Sequence, residues 1–364
     1  MNIKLANPKS NKKIDNEVLK TLKSGCYVKG PKLKGFEDNF SEYCDTKFGV
    51  GVNSGTVAIY LGLEGLGLKK GDKVIVPSHT FVGSASPLLK LGIEPIFIDV
   101  DNYYTINPSL LNEINMDNVK GIISVDLYGQ MSDYSKLNKF CKKNNLYLIE
   151  DSAQAHGAEL NGKKAGSFGD VGCFSFFPTK NLSVLGEGGM VVTNNRKYFD
   201  FIMALRDQGR NYSKKNGKFI SEYPAMNFRL SELHATIGNC NLNNLDSENN
   251  KRIKLAQIYN AELKDFVDTP IVRNNSKHVF HQYVIRVPKK IRKELQLFLS
   301  KNGISTGIHY PIPLHKQPIF KNFKSTDLSE TNLLIDEILS LPMYPDLPLN
   351  QVNFVVKKIK EFFK

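Results

Sequence analysis

The sequence lacks several features that often identify a protein's function or location. It has no tryptophan, and its five cysteines, at positions 26, 44, 141, 173 and 240, form no C-x-x-C pair. An odd number of unpaired cysteines makes a zinc site or a disulfide framework unexpected. No apolar run approaches the ~18 residues of a membrane-spanning helix, and the first twenty residues lack the apolar core of a signal peptide. These absences predict a protein of the reducing cytoplasm, with no metal and no membrane partner.

Several catalytic and nucleotide-binding motifs are also missing. There is no G-x-x-x-x-G-K-[ST] phosphate loop, no H-E-x-x-H and no G-x-S-x-G. The segment "GLGLKKG" (65–71) does not have the G-x-G-x-x-G spacing and follows a predicted helix, whereas a dinucleotide fingerprint follows a strand. A nucleotide hydrolase of the phosphate-loop class and a Rossmann oxidoreductase are therefore disfavoured.

The chain carries a formal charge of +13, from 49 Lys and Arg against 36 Asp and Glu. Nucleic-acid binding is one interpretation, because basic proteins gain affinity by releasing phosphate counterions. The basic residues are scattered, however, and no helix-turn-helix or RNA-recognition signature is present. A solvated basic surface accounts for most of the excess, and a small anion such as a nucleotide diphosphate can use part of it.

Short apolar runs alternate with helix-like segments between residues 50 and 195. The runs are 73–77, 94–100, 121–129, 146–151, 172–177 and 189–193. They are rich in β-branched and aromatic residues, as expected of strands covered on both faces, and segments such as 133–145 have one apolar helical face. The pattern predicts an α/β fold with a mostly parallel, doubly wound sheet, whose ligands sit at the carboxyl ends of the strands.

After about residue 240 the regular alternation of apolar runs and helix-like segments ends. A long charged helix (244–265), a strand (278–287), a second helix (289–303) and a closing helix (350–364) are predicted there. We therefore expect a large α/β domain over 1–240 and a smaller C-terminal α+β domain over 241–364. Residues 211–225 have the composition of a surface loop.

Three features carry chemistry at the expected edge of the sheet. "NSGT" (53–56) precedes an apolar helix and can cradle a phosphate with free N–H groups, although an ordinary N-cap would look the same. Asp151 ends an apolar strand, where it is either a helix N-cap or an acid that binds a metal, acts as a base or pairs with a protonated ring nitrogen. Lys180 ends "GCFSFFPTK" and either reaches water or is held in a pocket as a nucleophilic amine.

Together, a phosphate cradle, an acid and a lysine 29 residues beyond it are what pyridoxal phosphate requires. That cofactor needs an anchor for its phosphate, a carboxylate that keeps its ring nitrogen protonated, and an amine that forms a Schiff base.

Eight ordered segments closely resemble the DegT/DnrJ/EryC1 family of sugar aminotransferases. They are "NSGT", "PSHTFVGSA", "IEDSAQAHGA", "GDVGCFSFFPTKNL", "GEGGMVVT", "MNFRLSE", "IHYPIPLHKQP" and "SLPMYPDL". The resemblance runs from about residue 5 to 360. It implies a fold-type-I pyridoxal-phosphate enzyme that works as a homodimer, with active sites at the subunit interface.

The resemblance also implies roles for individual residues. Lys180 would hold the cofactor and act as the general base, and Asp151 would pair with the ring nitrogen. The remaining implied contacts are Gln154 near the ring's 3-hydroxyl, Phe81 stacked on the ring, Gly55, Thr56 and Ser175 on the phosphate, Asn227 on the phosphate from the other subunit, and His309 and Tyr310 beside the sugar.

Three of these residues have simpler interpretations. Phe81 can be a core residue, Ser175 an ordinary strand residue, and His309 a brace for the turn before Pro311. His156 is expected to be structural.

The predicted reaction moves an amino group from L-glutamate to C3 of a dTDP-linked 3-keto-6-deoxyhexose, through the pyridoxamine form of the cofactor. Amination at C4 of a nucleotide-linked 4-keto-6-deoxysugar, or of a UDP-linked 3-ketosugar, remains an alternative. A surface-polysaccharide precursor is the destination that the resemblance implies. A non-catalytic binding or regulatory protein on the same scaffold is the alternative from another class, and the intact Lys180, Asp151 and Ser175 argue against it.

Overall fold

The structure is a computed structural model that describes residues 2–211 and 216–364. The predicted surface loop at 211–225 therefore lies partly outside the described residues, at 212–215. No helix in the two described ranges is both long and apolar enough to cross a membrane.

A seven-stranded sheet forms the centre of the described part of the molecule. Within the described residues the strands are β1 (Phe48–Val52), β2 (Lys73–Pro77), β3 (Glu94–Ile98), β4 (Val119–Val125), β5 (Tyr147–Asp151), β6 (Glu159–Leu160), β7 (Lys163–Lys164), β8 (Val171–Ser175), β9 (Gly189–Thr193), β10 (Ser276–Lys277), β11 (Tyr283–Arg286) and β12 (Ile338–Leu341). The order in the central sheet is β1-β9-β8-β5-β4-β2-β3. The strands from β8 to β3 run parallel, and β9 pairs antiparallel with both β8 and β1.

Helices cover both faces of this sheet. In the described ranges they are α1 (Lys12–Lys23), α2 (Pro31–Tyr43), α3 (Gly55–Gly65), α4 (Ser86–Lys90), α5 (Tyr134–Asn144), α6 (Arg196–Arg206), α7 (Glu232–Leu242), α8 (Leu245–Leu263), α9 (Lys289–Lys301), α10 (Ser329–Glu337) and α11 (Leu349–Phe362). One apolar core contains side chains of α2 and α5, and a second, on the other face, contains side chains of α3 and α6. The predicted doubly wound, mostly parallel sheet is confirmed.

The sequence patterns missed β1. Its residues "FGVGV" contain two glycines, which weaken a strand's intrinsic preference. The structure shows why they are there, because a Cβ on Gly49 would lie 2.6 Å from the carbonyl oxygen of Glu37, and one on Gly51 would lie 2.8 Å from Leu33. Helix α2 packs too closely on this strand for a larger residue.

A third apolar core lies in the C-terminal part of the chain. It joins side chains of α8, α9, α11, β11 and β12, and it also includes Ile3, which pairs with Ile304 in an isolated parallel bridge. The small sheet β10-β6-β7 and a bridge between Phe97 and Ser325 connect this region to the rest of the chain. The division at residues 240 and 241 stays a prediction.

Candidate active site

A cavity of about 490 Å³ opens at the carboxyl ends of the parallel strands. Asp151 and Ser175 are the last residues of β5 and β8, and Phe81 and Leu127 follow β2 and β4 by a few residues. This is the edge at which open α/β sheets bind ligands. Nine of the ten predicted site residues line the cavity, namely Gly55, Thr56, Phe81, Asp151, Gln154, Ser175, Lys180, His309 and Tyr310.

One end of the cavity is formed by the first turn of α3. Ser54 is the N-cap, and its Oγ accepts a hydrogen bond from the N–H of Val57 at 3.2 Å. The next N–H groups, of Gly55 and Thr56, have no partner within the helix, and both residues line the cavity. A Cβ on Gly55 would lie 2.6 Å from the Cβ of Ser175. The segment is thus an ordinary N-cap, and its first N–H groups lie at the cavity, while the predicted phosphate contact stays a prediction.

Asp151 is a buried acid on the wall of this cavity. Its Oδ2 accepts a hydrogen bond from Ser84 Oγ at 2.6 Å, and its Oδ1 accepts one from the N–H of Ala153 at 3.2 Å. Burial raises the pKa of the carboxyl, while these two donors and the charge of Lys180 act in the opposite direction. The residues directly after β5, 152–158, form turns and no helix, so the N-cap interpretation of Asp151 is wrong.

Lys180 lies on the loop between β8 and β9, which closes on itself. The N–H of Phe176 donates to the carbonyl of Gly188 at 2.8 Å, and the N–H of Val184 donates to the carbonyl of Phe176 at 3.0 Å. The half-buried lysine faces the cavity, and its amine has no hydrogen bond or ion pair within the described part of the chain. Burial lowers the pKa of Lys180 to about 8, and the negative charge of Asp151 only partly offsets this effect.

Phe81 and Tyr310 form an aromatic wall on the open side of the cavity. Phe81 is 51% exposed, so it is not a core residue, and its ring centroid lies 5.4 Å from that of Tyr310. Gln154 Nε2 donates a hydrogen bond to Tyr310 Oη at 3.1 Å. The surrounding protein raises the pKa of Tyr310 to about 12, because burial disfavours the phenolate.

His309 both lines the cavity and braces the adjacent chain. Its Nδ1 lies 2.9 Å from Ser340 Oγ. Burial, assisted by the charge of Lys180, lowers the pKa of His309 to about 4, so the ring is neutral at physiological pH. His156, in contrast, is fully buried away from the cavity lining and packs on Phe174 and Phe176.

Asn227 is the predicted site residue that the structure does not bring to this cavity. It is exposed on the surface and pairs with Asp207 in an isolated antiparallel bridge. Its predicted contact with the cofactor of another subunit stays a prediction.

Sequence reasoning missed several residues of the lining, including Ser84, Glu187, His281 and Gln282. Ser84 lies within a segment that carried the family resemblance, but the sequence gives no sign that its hydroxyl meets Asp151, 67 residues away. His281 and Gln282 fall in a region predicted as a continuous strand, whereas the strand begins only at Tyr283. This part of the cavity lining is therefore formed by two residues that the sequence prediction had placed inside a strand.

The profile of the DegT/DnrJ/EryC1/StrS aminotransferase family matches residues 8–360. The chain is 37% identical over 350 residues to a "pleiotropic regulatory protein" of Geobacillus stearothermophilus, covering 94% of this chain and 92% of the relative. It is 35% identical to the dTDP-3-amino-3,6-dideoxy-alpha-D-galactopyranose transaminase of Aneurinibacillus thermoaerophilus, covering 100% and 98%. It is 34% identical to the UDP-N-acetyl-3-dehydro-alpha-D-glucosamine 3-aminotransferase of Acidithiobacillus ferrooxidans, covering 94% and 91%.

A solved structure with a cofactor shows the same fold. NtdA from Bacillus subtilis, crystallised with bound pyridoxamine phosphate, superposes with a TM-score of 0.89 at 28% identity, covering 97% of this chain and 82% of NtdA. The cavity and these similarities define a fold-type-I, pyridoxal-phosphate-dependent transferase. The chain belongs to the DegT/DnrJ/EryC1/StrS aminotransferase family, and the predicted fold, cofactor and enzyme class, a nucleotide-sugar aminotransferase, are confirmed.

Proposed function

We propose that this enzyme transfers an amino group from L-glutamate to C3 of a dTDP-linked 3-keto-6-deoxyhexose. The observation that carries the proposal is the amine of Lys180, which faces the cavity with a lowered pKa and has no ion pair among the described residues. The relative from A. thermoaerophilus, named for a dTDP-linked 3-aminosugar and matched over 98% of its length, supports the acceptor.

The residues of the cavity fit pyridoxal phosphate. Gly55, Thr56 and Ser175 would hold its phosphate, because the first N–H groups of α3 and the hydroxyl of Ser175 all lie at the same end of the cavity. Asp151 would meet the ring nitrogen, whose proton would compensate the buried carboxylate. When bound, the cofactor supplies an aldehyde that takes up amines and a ring that accepts electrons.

Phe81 would stack on the ring, and Gln154 would donate to the oxygen of its 3-hydroxyl. Both side chains already line the cavity, and both contact Tyr310. We assign the side of the cavity beyond Tyr310 to the sugar. His309, held neutral, is suited to accept or donate a hydrogen bond at a sugar hydroxyl without adding charge.

Lys180 would move the protons of both half-reactions. Its Nζ takes a proton from Cα of glutamate in the first, and a proton reaches C3 of the sugar through the same amine in the second. With a pKa of about 8, about a quarter of the amine is unprotonated at pH 7.5, against about 0.1% for an ordinary lysine. A positioned base of this kind contributes about 10²–10⁴-fold to the rate.

An absorbance titration tests the acceptor and its position. The protein is loaded with pyridoxal phosphate, and glutamate is added until the pyridoxamine form has replaced the pyridoxal form. We expect dTDP-4-keto-6-deoxyglucose to restore the pyridoxal form only when a 3,4-ketoisomerase is present. Restoration without the isomerase would show that the enzyme aminates C4 rather than C3. Restoration by a UDP-linked 3-ketosugar alone would show that the acceptor carries UDP rather than dTDP.

Lys180→Ala is the matching test of the amine. This variant should bind the cofactor without the absorbance of a lysine-linked form and should lose turnover. Full turnover in Lys180→Ala would refute the role of Lys180, and a wild-type protein that never binds the cofactor would support a binding or regulatory role instead.

The active site is proposed to be shared between two subunits of a homodimer. Tyr27, Val28 and Met226, each at least half exposed, form an apolar surface beside the exposed Asn227. The bridge between Val28 and Ser231 brings the two segments together. Burial of such a surface against a second copy would stabilise a dimer and bring Asn227 to the partner's cofactor.

Subunit mixing tests this arrangement. Lys180→Ala and Asn227→Asp should each have little activity alone, the second because its carboxylate repels the phosphate. After the subunits exchange, random pairing leaves about a quarter of the sites with both wild-type residues, and activity should recover to that level. No recovery on mixing, although the subunits have exchanged, would place Asn227 in its own subunit's site.

We also propose that the enzyme works in the cytoplasm and that its product is a precursor of a surface polysaccharide. Both proposals follow from the nucleotide-linked substrate.

A further inference from the structure

Tyr128 is a buried residue with unusual backbone geometry directly behind the cavity. It lies in a single 3-10 turn, Leu127–Gly129, that follows β4. Its φ of 60° and ψ of 1° place it in the left-handed region, which is unfavourable for a residue with a Cβ. A strained residue of this kind persists only where the surrounding structure holds it, and such positions cluster at functional sites.

Two hydrogen bonds from Tyr128 reach two different parts of the cavity wall. The backbone N–H donates to Gln154 Oε1 at 2.8 Å, and the phenol Oη donates to the backbone carbonyl of His309. Because Oε1 of Gln154 is used in this way, its Nε2 is directed to Tyr310 Oη. One residue thus orients the amide at the cofactor end and the backbone at the sugar end.

His79 completes this arrangement from behind. Its Nε2 lies 2.9 Å from Tyr128 Oη, and it is buried. Tyr128 has a single hydroxyl proton, which goes to the His309 carbonyl because that oxygen can only accept. His79 must therefore donate its own Nε2 proton to Tyr128 Oη. Its Nδ1 then carries no proton, and this atom has no partner among the described residues.

The protonation state of His79 agrees with this assignment. Burial lowers the pKa of His79 to about 4, so the ring is neutral and carries a single N–H at neutral pH. The hydrogen bonds run in one direction, from His79 to Tyr128 and from Tyr128 to the carbonyl of His309.

We propose that Tyr128 is a positioning residue for the acceptor sugar. Its hydroxyl, oriented by the Nε2–H tautomer of His79, holds the His309–Tyr310 segment at the outer end of the cavity. Its backbone N–H separately orients Gln154 at the cofactor end. The inference rests on the proposed function, since it assigns the held segment to the sugar half-reaction.

The Tyr128→Phe variant separates the two bonds. It removes the hydroxyl and keeps the backbone N–H to Gln154, so cofactor absorbance and the glutamate half-reaction should stay within about twofold of wild type. The efficiency of the ketosugar half-reaction should fall about tenfold, the usual effect of one lost hydrogen bond, mainly through a higher KM. Tyr104→Phe is the matched control, because Tyr104 is also buried and its ring lies edge-on to Tyr128, 5.3 Å away.

Two variants of His79 test the proton assignment if Tyr128→Phe does not fold. Glutamine keeps an N–H donor near the position of Nε2, so His79→Gln should retain most ketosugar efficiency, whereas His79→Leu should lose it as Tyr128→Phe does. Nitrogen-15 NMR of the histidine rings provides a readout independent of activity, and we expect the Nε2–H tautomer for His79.

Equal ketosugar efficiency in Tyr128→Phe and Tyr104→Phe, or an Nδ1–H tautomer at His79, would overturn the proposal. A wild-type enzyme that accepts the amino group of glutamate but delivers it to no ketosugar would instead refute the proposed acceptor. In that event the NMR tautomer still tests the hydrogen bond from His79 Nε2 to Tyr128 Oη, and an Nδ1–H tautomer would still overturn the proposal.

Discussion

The buried amine of Lys180 should make the cofactor-free protein less stable than it would be without a lysine there. Burial lowers its pKa from 10.5 to about 8, so the folded state binds a proton less tightly than the unfolded chain. At about 1.4 kcal/mol per pKa unit, this difference destabilises the folded state by about 3 kcal/mol at pH 7. The apolar substitution Lys180→Met should remove that cost.

The dependence on pH gives the test its direction. Because the pKa of the folded state is the lower one, the folded protein loses its proton first as the pH rises. The destabilisation is therefore complete below about pH 8 and fades as the pH passes the unfolded-state value. At pH 10 it should be about 1 kcal/mol, so the advantage of Lys180→Met should shrink by about 2 kcal/mol between pH 7 and pH 10.

Urea unfolding of the cofactor-free protein at the two pH values measures this difference. Lys139→Met, which replaces an exposed lysine of α5, is the control and should show no comparable gain at either pH. If Lys180→Met is no more stable than wild type at pH 7, or if its gain is the same at pH 10, the amine is not held in a desolvating site. The explanation of its reactivity would then be wrong.

Two further predictions concern the ligands of the cofactor. Ser84→Ala removes the 2.6 Å hydrogen bond to Asp151 and should raise the pKa of that carboxyl further. Cofactor binding should weaken about tenfold, a typical loss for a hydrogen bond to a charged group. An unchanged dissociation constant in an absorbance titration would contradict this prediction. Gly55→Ala should weaken binding by at least as much, because its Cβ would meet Ser175 at 2.6 Å. Gly35→Ala, a helical position with no atom within 4 Å of the added Cβ, should bind the cofactor normally and gain about 0.5–1 kcal/mol of stability.

Much of the fold could be predicted because its signals are local. Short apolar runs rich in β-branched and aromatic residues predicted six strands of the central sheet, and each of them is present with small differences at its ends. The glycine-containing β1 was missed because the close packing of α2 that requires its glycines is a property of the folded chain. Propensity describes a residue's own preference, and it does not include neighbours 12 and 18 positions away, such as Glu37 beside Gly49 and Leu33 beside Gly51.

The candidate site shows the same division between local and long-range information. Asp151 and Lys180 could be placed at one edge because parallel strands bring their carboxyl ends together, whereas Ser175 was assigned to the site by the family resemblance. Ser84 and Tyr128 act through partners 67 and 181 residues away. The left-handed backbone of Tyr128 is favoured by no feature of its side chain, so these residues emerge only when the contacts are seen.

The pairings across residue 240 have a consequence for anyone who divides this protein into fragments. β10 pairs with β6, Ser325 with Phe97, and Ile304 with Ile3, each joining the two sides of that position. A chain nicked by a protease after residue 240 would therefore remain a single particle under native conditions. Either fragment produced alone would expose unpaired strand edges, and the N-terminal fragment would also expose the apolar side chain of Ile3. Both features favour aggregation. Catalytic studies of this enzyme should accordingly begin with the whole chain.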